Sequence, residues 1–142
     1  MNKLFILLSI TLLASFGALA QGNVTVTLDI QGATYQEGQI MCSIFNSKKT
    51  FLKEPVQSKI VQIDEDNTAT CIFNDVAKGE YAAAVVYDLD SNGKMKTNFI
   101  GLPKEPVGLS NKHRPKFGPP KFKKAKQTVD GDHVFVIDLE KA

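Results

Sequence analysis

The chain has 142 residues, 43% of them hydrophobic, with 17 Lys+Arg against 15 Asp+Glu and a formal net charge of +2. That near-balance excludes any statement about partners from global charge. Two cysteines without a C-x-x-C spacing argue against a redox site.

Residues 1–20 read as a secretory signal peptide. Lys3 supplies the positive start, Leu4 to Leu13 the apolar run, and Ala18-Leu19-Ala20 a small-x-small cleavage site before Gln21. The run is shorter than the roughly 20 residues a spanning helix needs. No Cys follows the cleavage site, so lipid attachment is not indicated, and no second apolar run reaches spanning length. The expectation is an exported domain over residues 21–142, periplasmic or secreted, with no membrane span. That length suits one domain with one core. Export places Cys42 and Cys71 in an oxidising compartment. A structural disulfide between them is the expectation, contributing roughly 2–4 kcal/mol; two buried free thiols are the alternative.

The elements read as all-β. Val24, Val26, Leu28 and Ile30 alternate with Thr25, Thr27 and Asp29, the pattern of a half-buried strand. A second strand runs from Gly38 to Phe45, with Ile40, Cys42 and Ile44 on one face. Asn46 to Lys49 is a turn cluster, and Phe51-Leu52 is read as a plug at a core edge. Ser58 to Ile63 and Thr68 to Phe73 are the third and fourth strands, separated by the polar turn 64–67. Asn74 to Gly79 is read as a short connection. Glu80 to Asp88 is the fifth strand, and its run Ala82 to Val86, apolar on both faces, argues for a central position. Phe99-Ile100 is a candidate short sixth strand. Ala125 to Val129 and His133 to Leu139 are read as a closing pair around Asp130-Gly131-Asp132, with His133 capping a sheet edge. A helical turn is placed in 119–126. Seven or eight short strands with turn signals between them predict a single antiparallel β-sandwich.

Two stretches carry a resemblance. Phe73-x-x-Val76-x-x-Gly79-x-Tyr81 resembles the corner of prealbumin-like and carboxypeptidase-regulatory-like sandwiches. Asp88-x-Asp90-x-Asn92-Gly93, Asn98-Phe99-x-Gly101-x-Pro103-x-Glu105 and Gly108-x-Ser110-Asn111, continued by Pro115-x-Phe117-Gly118-Pro119-Pro120-x-Phe122, resemble the exported bacterial DUF2141 family. The resemblance implies a secreted or periplasmic sandwich of prealbumin/Ig-like type, and no activity. Tyr87, Lys96 and Pro106-Val107 depart from the family's usual residues.

Three constellations are candidates for function. Asp88, Asp90 and Asn92, with the carbonyl of Lys94, match the first half of a calcium loop. Lys96 and Phe99 fall where the remaining ligands belong, and Glu105 would complete the set only if the loop folds back. The bland reading is a turn in which Asp and Asn bond their own backbone. Lys112, His113, Arg114 and Lys116 open a basic run that continues to Lys126. Its seven Lys/Arg meet no acid. It suits an anionic glycan, a lipid headgroup or a protein partner. Nucleic acid is a poor fit for an exported chain. The bland reading is a solvated face whose Phe117 and Phe122 pack inward. Asn98 to Pro103 and Phe117 to Pro120 are read as rigid loop anchors. Catalysis has little to use: Ser110 and His113 lie three residues apart, and no acid is fixed beside them.

The sequence therefore supports a non-catalytic binding or structural module of unknown ligand, recognising it through the 88–122 loops. Ligand-binding candidates are Asp88, Asp90, Asn92, Lys112, His113, Arg114 and Lys116. Calcium is the one cofactor to consider. The alternatives are a calcium-stabilised domain and a small hydrolase or isomerase using Asp88, Asp90 or His113.

Overall fold

The computed structural model describes residues 22–34 and 37–141. The signal-peptide reading of residues 1–20 lies outside the described residues. Among the described residues, eight strands form two sheets. The first contains β4 (Ala69–Ala77), β1 (Asn23–Gln31) and β8 (His133–Asp138), in that order. The second runs β3 (Gln57–Val61), β2 (Gln39–Phe45), β5 (Gly79–Asp88) and β6 (Val107–Leu109). β7 (Gln127–Val129) pairs with the start of β5, at Gly79 to Tyr81.

The period-two pattern puts the expected residues inside. Val24, Val26, Leu28 and Ile30 of β1 meet Ile40, Cys42 and Ile44 of β2, Phe73 of β4, Val85 and Tyr87 of β5, and Phe135 and Ile137 of β8 in one core. Cys42 and Cys71 join the two sheets through a disulfide at a Cα separation of 6.6 Å. On the chain-entropy argument, closing a 29-residue separation stabilises the fold by about 3–4 kcal/mol. The sheets also meet at their edges. Val107 and Glu140 exchange backbone hydrogen bonds at 3.0 and 3.1 Å. At the opposite edge Lys59 Nζ donates to the carbonyl of Ile72 and Gln57 donates to that of Asn74 at 3.0 Å. These side chains satisfy a strand edge that would otherwise be open to pairing.

Several expectations need correction. The sheets are not purely antiparallel, since β1 and β8 run parallel. β7 and β8 are not a closing pair: β7 pairs with β5 and β8 with β1, so 130–132 joins two sheets. Residues 74–77 are not a connection but the end of β4. Between Val24↔Val76 and Val26↔Phe73 the register gains a residue, and Asp75 takes φ 57° there. Only Lys78 separates β4 from β5, and the Tyr81 hydroxyl donates to the Ala77 carbonyl at 2.8 Å. Burial raises the Tyr81 pKa above its ordinary value. Phe99-Ile100 is a turn rather than a strand, and Thr97 and Pro103 bridge across it. The helical turn expected in 119–126 is α1 (Phe122–Ala125).

The segment between β6 and β7 decides where a site can form. It leaves the β5 edge at Leu109, turns through the 3-10 turn Ser110–Lys112, and returns through α1 to the same edge. On the way it folds over the outer face of the sheet. Phe122 and Ala125 pack there with Phe45, Phe51 and Ala82 as a second, smaller core. Phe51 stands edge-on to Phe45 and Phe122, with ring centroids 5.4 and 5.7 Å away. The buried Ser110 ties the excursion down: its Oγ accepts the Ala83 N–H at 2.9 Å and donates to the Ala125 carbonyl at 2.6 Å.

Candidate binding groove and acidic loop

The outer face of the β3-β2-β5-β6 sheet is covered at one end only. Cross-strand register arranges it in rows. Phe45 and Ala82 lie under the aromatic cap. The next row is Ser58, Ser43, Ala84 and Leu109, and the one after is Ile60, Met41, Val86 and Val107. The small side chains of Ser58, Ser43 and Ala84 in the middle row, between aromatics on one side and longer aliphatics on the other, produce a trough. Ser43 and Ser58 use their hydroxyls on each other, at 2.9 Å. The trough is the floor of a groove of about 1080 Å³. One wall is the loop carrying Met95, Ile100, Leu102 and Pro103, and the other runs from Lys112 to Pro120. An open concavity with predominantly apolar walls is the usual form of a small-molecule site.

The polar part of the lining is largely paired. Lys112 contacts Asp138 at 2.7 Å, and that hydrogen bond, with the charge behind it, raises the Lys112 pKa above its ordinary value. Arg114 pairs with Glu140 and donates to the Lys141 carbonyl at 3.1 Å. His113 Nε2 accepts the backbone N–H of Lys121 at 3.2 Å, which leaves the ring proton on Nδ1.

The acidic turn at the end of β5 is a separate centre. Asp88 is fully buried and Glu105 nearly so, at 0% and 2% exposure, while Asp90 is exposed. One carboxylate oxygen from each lies within 4.8 Å of the others. Asp88 accepts the backbone N–H groups of Asn92 and Gly93 at 3.2 and 2.7 Å, and the side-chain amide of Gln39 at 2.8 Å. Glu105 accepts the N–H of Leu89 at 3.0 Å and that of Lys96 at 3.0 Å. Asn92 donates to Asp90 at 3.0 Å and accepts from the Lys94 N–H at 2.7 Å. Lys96 Nζ sits 2.5 Å from Asp90 Oδ2. This contact holds the Asp90 pKa below its ordinary value and raises that of Lys96. Gly38 lets β2 start against this turn, since a Cβ there would stand 2.6 Å from the Asp88 carbonyl oxygen.

The structure thus divides the sequence candidates. Lys112, His113 and Arg114 line the groove; Asp88, Asp90, Asn92 and Lys116 do not. Asp88 and Asp90 thus stand outside the concavity that His113 lines. Glu105 joins Asp88 and Asp90, as the folded-back loop would demand, whereas the Asn92 amide is spent on its own loop. The aromatic anchors divide too. Phe122 packs inward, but Phe99 is 99% exposed and Phe117 93%, against the expectation that they anchor their loops. What holds the first of these loops is Asn98, whose Oδ1 accepts the N–H groups of Ile100 and Leu102 at 3.0 and 2.9 Å. The floor residues Met41, Ser43 and Ala84 escaped the sequence reading. The available signal was the second apolar face of the Ala82–Val86 run, which marks a covered strand without saying what covers it.

These features define an all-β domain of two sheets, with an open apolar groove on one outer face and a carboxylate-organised loop beside it. The chain belongs to the DUF2141 family, described as uncharacterized proteins conserved in bacteria, whose profile matches residues 28–136. No curated protein and no solved structure matches it.

Proposed function

We propose that the protein is a non-catalytic binding module that takes an apolar small molecule in the groove, with the 88–122 segment supplying its walls. The observation carrying this reading is the row Ser58, Ser43 and Ala84, which leaves the sheet face hollow between two taller rows. Rigid loops on a sheet scaffold then select the ligand. In this reading the domain is a sandwich of prealbumin-like type. It works outside the cytoplasm, periplasmic or secreted, which the Cys42–Cys71 disulfide supports.

The test is the fluorescence of an apolar probe, N-phenyl-1-naphthylamine, titrated into the purified protein. Saturable enhancement is expected. Ala84→Phe, which fills the trough from the outer face, removes it without lowering the melting midpoint. A wild-type protein that leaves the probe dark, or an Ala84→Phe variant that brightens it equally, sinks the reading.

The alternative is a hard cation held by Asp88, Asp90 and Glu105. It is favoured by the convergence of their oxygens within 4.8 Å. Lys96 competes with it for Asp90. A melting curve in calcium against chelator tests it.

A further inference from the structure

The charge of this chain is strongly polarised around the groove. Residues 94–126 carry ten Lys/Arg and one acid, Glu105, so the remainder holds seven Lys/Arg against 14 Asp/Glu. Acids outside the segment neutralise four of the ten: Asp90 pairs with Lys96, Asp138 with Lys112, Glu140 with Arg114 and Glu80 with Lys126. Among the described residues, Lys94, Lys104, Lys116, Lys121, Lys123 and Lys124 form no salt bridge, and all six are exposed.

The same segment carries the three most exposed large apolar side chains of the described residues, and Leu102 beside them. Phe99 is 99% exposed and Phe117 93%, with Ile100 at 64% and Leu102 at 56%. Ile100 and Leu102 line one wall of the groove, Phe99 and Phe117 adjoin the lining residues Ile100 and Gly118 in the chain, and the two walls meet over a smaller hollow whose lining includes Leu102, Pro103, Arg114 and Pro115. The tip that carries Phe99 is fixed by its own loop. Gly101 and Gly118 adopt positive φ beside the two tips, and Asn98 clamps the first loop from within. A fixed loop that holds an aromatic ring in water lacks a folding reason for doing so. Isolated exposed apolar residues are ordinary, but a contiguous group marks an interaction surface.

We infer that the two wall tips, Phe99 with Ile100 and Phe117, together with the unpaired lysines 116, 121, 123 and 124, form a docking surface for an anionic lipid bilayer. The lysines supply attraction to acidic headgroups. The rings supply what a soluble polyanion would leave unused, apolar area that enters the headgroup boundary. Among the described residues no helix is long and apolar enough to cross a membrane. Docking of this kind brings the groove mouth to the bilayer, but it does not depend on what the groove holds.

Co-sedimentation of the purified protein with vesicles tests the inference. Vesicles of phosphatidylcholine mixed with phosphatidylglycerol are expected to bind at low salt and to release the protein at high salt, while pure phosphatidylcholine binds little. Phe99→Ala with Phe117→Ala lowers partitioning about tenfold or more. Lys121→Gln with Lys123→Gln lowers it by a similar factor. All four side chains are exposed, so melting midpoints should hold, and Ala84→Phe should bind vesicles as the wild type does. Absence of wild-type binding to the anionic vesicles overturns the inference. So does binding that is insensitive to the phenylalanine pair. Retention on a heparin column that falls with the lysine variants but not with the phenylalanine pair, in a protein that ignores vesicles, assigns the surface to a soluble polyanion instead.

Discussion

Glu105 Oε2 accepts the backbone N–H of Lys96 at 3.0 Å, and this one bond sets where the Lys96 ammonium goes. With Oε1 on the Leu89 N–H, the carboxylate bridges the two sides of the turn that leaves β5. The Lys96 carbonyl in turn accepts the Lys104 N–H at 2.7 Å, closing the loop on itself. Lys96 then reaches Asp90, one of the three carboxylates that a cation would need. The carboxylates are the scaffold of the loop first, whatever else they bind.

Removal of that bridge gives the first prediction. Glu105→Ala leaves the N–H groups of Leu89 and Lys96 without their acceptor in a part-buried place, at about 1–2 kcal/mol. Glu105→Gln keeps one carbonyl oxygen and so falls between alanine and wild type. Urea denaturation of the three proteins gives the order, and an alanine variant as stable as wild type would remove Glu105 from the account of the loop.

Lys96 gives a second prediction, with its sign set by the shifts of the pair. Asp90 is lowered, so its contribution is present above the unfolded carboxylate value and is lost as pH falls through the depressed one. Lys96 is raised, so its contribution is present below the unfolded ammonium value and is lost as pH rises through the raised one. The stability gap between wild type and Lys96→Met should be flat from about pH 5 to 9 and shrink at both ends. Both groups are solvent-facing, so the gap is small and salt-sensitive. A gap that persists at pH 2 would show that packing of the lysine stem, not charge, is responsible.

Calcium should act differently on these two proteins. In wild type, backbone N–H groups hold the Asp88 and Glu105 oxygens, and Lys96 holds Asp90. Its melting midpoint should be the same in calcium and in chelator. Lys96→Met removes the competing cation, and its midpoint should rise with calcium; ligand at about 100 times its dissociation constant stabilises by about 2.7 kcal/mol. A calcium-dependent wild type would favour the cation reading over the scaffold one.

What the sequence made legible follows period and compartment. The alternation in β1 and β8 placed Val26, Leu28, Ile30, Phe135 and Ile137 in the core, because a residue's face is a local property. The disulfide was legible because Cys42 and Cys71 had no other partners. Pairing was not, because it is non-local. Nothing in Gln127 to Val129 says that its partner is β5 rather than the adjacent β8. The groove was illegible for the same reason: Ser43, Ser58 and Ala84 lie far apart in the chain and become a row only through register. Phe99 and Phe117 misled because an aromatic beside Gly and Pro reads as an anchor, and the clamp was Asn98.

The disulfide is open to direct measurement. Cys42→Ala with Cys71→Ala removes the link between β2 and β4 inside the core. The cost should be about 3–4 kcal/mol from the unfolded chain's regained freedom, with a further loss for the emptied volume. Reduction of wild type under native conditions should be slow, since both sulfurs are buried. Urea denaturation with and without reductant separates the two effects. A reduced protein as stable as the oxidised one would remove the staple from the stability of the fold.

A close approach of the two sheets gives the last prediction. Gly108 is the middle residue of β6, where this short strand meets β8 beside the Val107–Glu140 bridge. A Cβ at this position would stand 2.4 Å from Ile137 Cγ2 and 2.9 Å from the Asp138 carbonyl oxygen. The first neighbour is a core side chain and the second is backbone, so neither yields freely. Gly108→Ala must therefore push β6 from β8, at about 1–3 kcal/mol. That displacement would carry Val107 and Leu109, which line the groove, away from their row neighbours Val86 and Ala84. The variant should lose stability and probe binding together, whereas Ala84→Phe loses binding alone. A stable Gly108→Ala protein with unaltered probe affinity would mean that the edge between the sheets is looser than its hydrogen bonds indicate.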